Sequence, residues 1–396
     1  MSFPRRLALA LAAGAAASAL VAACSDGGTK PGASSTSESK PPATSATPTA
    51  AGGAPFCGDP GAVPATLNLR DKLAQLLMVG VENADDAKAV ATNHHIGGIM
   101  IGSWTDLEML KNGALTEITN TPGPLPLAVS VDEEGGRVSR LKTLIGTSPS
   151  PRVLANTLSV DEVRALAHQR GEAMRKLGIT IDFAPVVDVT DDPDDTVIGD
   201  RSFGSTAEKV TAYAGAYAQG LREAGVLPVL KHFPGHGHGS GDSHKGGVTT
   251  PPLSDLIAVD LVPYKTLLTQ TPVAVMIGHM QVPGLTGSDP ASLSRPAIDL
   301  LRTGTGYGGP AFDGTVFSDD VSSMAAISDR FGVTDAVLRT LQAGSDIALW
   351  VSTKEVPAVL DRLEQAVTAG ELPVEAVDRS VVRVATMKRN SAACPH

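Results

Sequence analysis

Four of the chain's nine histidines fall between residues 231 and 246, in KHFPGHGHGSGDSHKG, interleaved with five glycines. Imidazole titrates near neutrality, so such a cluster suits three tasks: holding a metal, hydrogen bonding a polar substrate, or moving a proton. The glycines make the backbone that carries it able to move. A second candidate, TVFSDDVSSM, sets Ser318, Asp319 and Asp320 at the end of an apolar run. Neighbouring residues of a strand point to opposite faces, so one aspartate can face a site while the other caps a helix start after the strand. A third, VDEEGGRVSRL, offers Asp132, Arg137 and Arg140 around a Gly-Gly turn. Carboxylate and guanidinium groups each form paired, directed hydrogen bonds, which suits sugar hydroxyls.

Such distant residues need a scaffold that gathers them. Eight continuous apolar runs lie at 74–81, 97–102, 125–132, 181–189, 226–233, 273–280, 314–320 and 346–351. Continuous rather than alternating apolarity is expected of parallel strands buried on both faces. Helical stretches separate them. SVDEVRALAHQRGEAMRKLG opens on a Ser159–Glu162 capping box and stops at Gly178; STAEKVTAYAGAYAQGLREAG pairs Ser205 with Glu208 and stops at Gly225. Repeated strand–helix units of this number predict an α/β fold, a (β/α)8 TIM-type barrel forming a single catalytic domain. The alternative, an open doubly wound sheet, usually carries a glycine-rich phosphate loop after its first strand, and the sequence has none. Asp132, Asp188, Lys231, His232, His279 and Asp319 lie within or just after apolar runs, which in a barrel is the catalytic mouth. Asp346 opens its run instead.

The ends of the chain speak to location. Residues 1–23 carry Arg5 and Arg6, then an apolar segment, then small residues before Cys24, the pattern of a secretory signal. VAAC resembles a bacterial lipobox, which implies acylation of Cys24. Residues 24–56 are rich in Ser, Thr, Pro, Ala and Gly and are expected to form a disordered tether. The expected location is therefore the outer face of the cytoplasmic membrane, in the cell envelope, with a lipid anchor as the membrane contact. Residues 57–396 are expected to form the barrel. In an oxidising compartment Cys57 and Cys394, at its two ends, are expected to pair as a disulfide. The formal charge of −10 and the lack of a basic run argue against a nucleic-acid partner.

Taken together, KHFPGHG followed by DSH, with EGGRV, RSFG at 201–204 and FSDD, resembles glycoside hydrolase family 3, in its bacterial β-N-acetylglucosaminidase branch. The resemblance runs from about residue 65 to 390. It implies that Asp319 is the nucleophile, that His244 is the general acid/base with Asp242 paired to it, and that Asp132, Arg140, Arg201, Lys231 and His232 bind the sugar. It further implies exo-acting, retaining removal of terminal β-linked N-acetylglucosamine from saccharides or muropeptides. A monomer without a metal or cofactor is expected. One departure stands out: the family usually has an aspartate where this chain has His238, in HGHG.

Other readings are a β-glycoside phosphorylase or another β-glucosidase of the same family, since an imidazole acid would not repel phosphate. A metallohydrolase using His236, His238, His279 and Asp346 would need its paired histidines after the first strand rather than the fifth. A non-catalytic sugar-binding lipoprotein would fit the anchor and tether equally well.

Overall fold

The computed structural model describes residues 57–390, all within one compact unit. The expectations for residues 1–23, for Cys24 and the tether to residue 56, and for Cys394 lie outside the described residues. Cys57 itself is disulfide-bonded.

Eight parallel strands close into a barrel: β1 (Leu77–Val81), β2 (Gly98–Ile101), β3 (Ala128–Val131), β4 (Ile181–Asp182), β5 (Leu227–Phe233), β6 (Ala274–Ile277), β7 (Val316–Asp320) and β8 (Ile347–Trp350). Each pairs with its sequence neighbours, and β8 pairs with β1. The helices that follow them in turn are α1 (Ala84–His94), α2 (Ala114–Thr119), α3 (Val160–Lys176), α4 (Ala207–Glu223), α5 (Val262–Leu267), α6 (Arg295–Thr303), α7 (Val333–Ala343) and α8 (Val356–Thr368), with α9 (Val374–Asn390) closing the fold. The expected (β/α)8 architecture is therefore present, and each of the eight apolar runs contains one barrel strand. β4 is short because Pro185 has no N–H to give to a ladder; pairing resumes at a single bridge between Val186 and Lys231.

Capping sets where α3 and α4 start. The Ser159–Glu162 box is formed as expected. At α4 the cap is Thr206, whose side chain accepts from the Lys209 N–H, so the expected Ser205–Glu208 box is not used. The two helices then touch closely: a Cβ at Gly220 would stand 2.3 Å from the Arg164 carbonyl oxygen.

Side-chain contacts across the barrel fix which residues point inward. The Ser130 hydroxyl of β3 reaches the Met78 sulfur of β1 at 3.0 Å, and the Phe183 and Phe317 rings, beyond β4 and on β7, meet edge to face at 5.5 Å. Such pairs skip intervening strands and can meet only in the interior. By the two-residue period of a strand, Gly80, Asp132 and Asp319 therefore also face the axis, one layer nearer the C-terminal mouth.

Lys388 is the costly residue of this core. Its ammonium is buried in α9 against the Gln75 side-chain oxygen at 2.7 Å, with no carboxylate partner among the described residues. Burial pushes its pKa down to about 7. Below that pH the buried charge costs its full amount; as pH rises toward the unfolded value of 10.5 the folded protein sheds the proton first and the cost fades. Lys388→Met should raise the melting temperature at pH 6 and do so less at pH 9.5. Equal gains at both pH values in thermal unfolding would show that the charge is not what is being removed.

Candidate active site

The segment after β3 turns back as a two-stranded ribbon, Glu133–Gly135 against Val138–Ser139. Alternation sorts its three acids. Glu133 points away from the mouth and is buried on Arg170 (2.6 Å), the Ser139 hydroxyl (2.6 Å) and the Arg140 and Leu141 N–H groups (2.8 Å each). Asp132 and Glu134 point into the mouth. Lys231 from β5 sits between them, 2.6 Å from each. Glu134 also accepts two parallel hydrogen bonds from Arg201, both 2.8 Å.

Burial alone would raise the Glu134 carboxyl, but the Arg201 and Lys231 charges outweigh it and hold it far below the usual carboxylate range. Burial would likewise lower the Lys231 ammonium, and Asp132 and Glu134 outweigh that and raise it. The result is a fixed charge array in which both cations stay protonated.

At the end of β7 the two aspartates divide their roles. Asp320 is buried and accepts from the N–H groups of Ser322 (2.8 Å) and Ser323 (3.2 Å) and from both serine hydroxyls. It ties the turn after the strand rather than capping a helix. Asp319 is half-buried and opens onto the mouth. Burial would raise its pKa; the imidazoles of His279 and His232, the Asp320 N–H and the Lys231 ammonium outweigh this and keep it below the ordinary value. An ionised carboxylate with an open face is what nucleophilic attack requires.

The histidines separate by partner. Asp188 accepts from His232 Nδ1 at 2.7 Å and from the His236 N–H at 2.7 Å, so His232 Nε2 is left toward the mouth. The Lys231–His232 peptide is cis. His279 is buried between the Ser292 hydroxyl (2.7 Å) and the Asp320 carbonyl oxygen (2.8 Å), beneath the strand end. His238 pairs with Asp260 at 3.2 Å, and that hydrogen bond raises its pKa. His236 and His238 are thus held by different carboxylates. Among the described residues no three His, Cys, Asp or Glu side chains converge as a metal site. Asp346 lies at the other end of its strand, on Arg302 at 2.5 Å and the Ser380 hydroxyl at 2.8 Å, outside the mouth.

His244 occupies the loop between β5 and a short strand at Val248–Thr249. Asp242 accepts from its ring Nδ1 at 2.9 Å and from its N–H at 3.0 Å. The His244 side chain is 62 % exposed. The loop is pinned beside it, where the Ala326 N–H donates to the Ser243 carbonyl oxygen at 3.1 Å.

These pieces enclose a cavity of about 310 Å³. Asp132, Arg140, Arg201, Lys231, His232, His244 and Asp319, expected from the sequence, all line it; Asp242 stands behind His244. Arg140 has no side-chain hydrogen bond or ion pair among the described residues and is free for a ligand. Arg201 spends most of its donors on Glu134 and on the Val197 carbonyl oxygen (3.2 Å). Arg137, proposed alongside Arg140, bonds the carbonyl oxygens of residues 196 to 198 and locks the ribbon to the loop after β4. Sequence reasoning missed Glu134 as a site residue and gave Asp188 no role. Glu134 was findable, since it stands two residues from Asp132 on the same face.

Residues 68–387 match the model of the glycosyl hydrolase family 3 N-terminal domain. The chain is 71% identical over 395 residues, 100% of both chains, to "Beta-hexosaminidase LpqI" of Mycobacterium tuberculosis. The solved structure titled "M tuberculosis LpqI" superposes with a TM-score of 0.83 at 76% identity, covering 84% of this chain and 97% of that one. A family 3 β-N-acetylglucosaminidase from Paenibacillus superposes with a TM-score of 0.74 at 33% identity, covering 83% of this chain and 64% of that one.

Glu134→Gln should leave Arg201 and Lys231 short of one counter-charge in a buried setting. The expected cost is on the order of 3 kcal/mol in unfolding free energy, with a weakened grip on sugar ligands. Denaturant unfolding that matched the unaltered protein would remove Glu134 from the charge array.

Proposed function

The chain belongs to glycosyl hydrolase family 3 and is a β-N-acetylhexosaminidase, and from that premise we propose that it is an exo-acting, retaining enzyme that removes terminal β-linked N-acetylglucosamine from peptidoglycan fragments. The observation that carries the mechanism is the shared cavity: an ionised carboxylate on a rigid strand and an imidazole–carboxylate pair on a loop face one sugar-sized space. In the first step Asp319 attacks the anomeric carbon as the glycosidic C–O bond breaks. His244 gives its Nε2 proton to the departing oxygen, and Asp242, holding Nδ1, orients the ring. In the second step His244 takes a proton from water, which attacks the same carbon and releases Asp319. Asp132, Lys231 and Arg140 hold the sugar hydroxyls, and His232, aimed by Asp188, presents Nε2 to the same ring.

The peptidoglycan assignment rests on location. A lipobox cysteine and a polar tether suit a protein held by an acyl chain on Cys24 at the outer face of the cytoplasmic membrane, where wall fragments are released. Imidazole as the acid also leaves phosphate admissible as the second acceptor in place of water, and the product formed with and without phosphate distinguishes the two.

Asp319→Ala should lower turnover by about 10³-fold or more while the protein stays folded. A fluorinated N-acetylglucosaminyl donor should label Asp319 in the unaltered protein, and the sugar first released should be the β-anomer. Labelling elsewhere, or release of the α-anomer, would overturn the retaining assignment. His244→Ala should spare substrates whose leaving group needs no proton; equal losses on good and poor leaving groups would remove His244 as the acid.

A further inference from the structure

Among the described residues Trp104 is the only aromatic side chain among the exposed large apolar ones, at 43 % exposure. The chain's other tryptophan, Trp350, is fully buried. Trp104 belongs to the loop that leaves β2, and its six-membered ring lies over two glycines. A Cβ at Gly102 would stand 2.3 Å from the nearest ring atom, and one at Gly80 would stand 2.6 Å from the ring. Any side chain at either position would displace the indole.

Gly80 faces the barrel axis, by the same two-residue period that turns Met78 inward. Gly80 pairs in register with Met100, which makes Gly102, two residues further, an inward position as well. The indole therefore enters the mouth above β1 and β2 and beside Val351, just past β8, whose Cα a Gly80 Cβ would meet at 2.9 Å. Around the barrel that arc runs from the strand of Asp319, β7, to the strand of Asp132, β3.

The ring is held before any ligand arrives. The Thr105 hydroxyl donates to the Val81 carbonyl oxygen at 2.6 Å and accepts from the Gly102 N–H at 2.9 Å; the Asp106 N–H donates to the Glu82 carbonyl oxygen at 2.8 Å. The two residues after Trp104 are thus tied to the end of β1 and Gly102 before it is tied to Thr105, so ordering the ring costs a ligand little. The indole N–H has no partner among the described residues. An exposed, fixed aromatic with a free donor at a binding mouth matches the C–H face and hydroxyl rim of a pyranose.

Trp104 is not among the walls of the cavity that holds Asp319, Asp132 and Lys231. We propose that Trp104 is the stacking platform for the sugar on the leaving-group side of the scissile bond, a specificity residue for saccharide over non-saccharide leaving groups. The proposal rests on the hexosaminidase reading above.

The test compares Trp104→Ala with the unaltered protein on two substrates. One is the β-linked disaccharide of N-acetylglucosamine; the other is β-N-acetylglucosaminyl fluoride, whose leaving group is one atom. The disaccharide kcat/KM should fall about tenfold, mainly through KM, while fluoride hydrolysis stays within about twofold. Trp104→Phe should recover most of the loss. Equal falls on both substrates, or none on the disaccharide, would overturn the platform. A fluoride that the unaltered protein cannot hydrolyse would sink the hexosaminidase reading and the platform with it. Tryptophan emission gives an independent readout: it should respond to the disaccharide bound to Asp319→Ala and not to N-acetylglucosamine alone. A response to the monosaccharide alone would put the ring against the reacting sugar and refute the assignment.

Discussion

The mouth is built around an array of four charges in which Lys231 and Glu134 are buried and Asp132 and Arg201 half-buried. Taking such ions out of water costs several kcal/mol each, and only close, multiply hydrogen-bonded partners return it. Here each buried ion has them: Lys231 bridges two carboxylates, and Glu134 takes a bidentate guanidinium as well as the ammonium. The array joins β3 to β5 and to the loop after β4, so it fixes three walls of the cavity together. It also sets the potential that Asp319 experiences. The Lys231 ammonium is one of the groups that keeps that carboxylate ionised despite its burial. The same charges that hold the walls thus help keep Asp319 ionised, so a substitution among them disturbs the cavity walls and the Asp319 carboxylate together.

A second economy comes from alternation along strands. Glu133 braces the ribbon through Arg170 while Asp132 and Glu134 serve the cavity. Asp320 ties the turn after β7 while Asp319 faces the cavity. In both cases acids that look redundant in sequence are split between holding the backbone and lining the cavity. His279 extends the pattern: hydrogen bonded to the Asp320 carbonyl oxygen and to Ser292, it supports the strand end from below.

Much of this was legible in the sequence because the relevant periods are short. Buried parallel strands read as continuous apolar runs, and all eight lay where the barrel strands are. The residues expected at the cavity reached it because strand ends of a barrel converge by construction. What could not be read was partnership across the fold. Nothing in EEGG says that Glu134 meets Arg201, sixty-seven residues away, or that Asp188 orders two histidines of the next strand and loop. Local errors were of register: α4 starts on Thr206 because the extended backbone there, not the one at Ser205, presents its hydroxyl to the helix. Lys231 and His232, adjacent on one strand, both line the cavity, which strict alternation would forbid.

The loop that carries His244 poses a further physical question, how an exposed imidazole is aimed. Its base is fixed at separate points. The backbone at His236 is bonded to Asp188, His238 is paired with the mostly buried Asp260, and Gly237 approaches the Val189 carbonyl oxygen so closely that a Cβ would stand 1.9 Å from it. Here His238 serves as an anchor at the position where the family usually has an aspartate. Burial raises the Asp260 carboxyl above its ordinary value, and the hydrogen bond from His238 offsets part of that rise. Beyond Ser243 the side chain of His244 is open to solvent, and its aim comes from Asp242 two residues away rather than from the barrel. Asp319 and His244, the proposed nucleophile and acid, are therefore held by different means. The carboxylate belongs to a strand that cannot move without breaking the barrel. The imidazole is oriented by Asp242 on its own loop, so in the proposed mechanism the loop shifts over a bound sugar without losing the ring orientation that proton transfer needs.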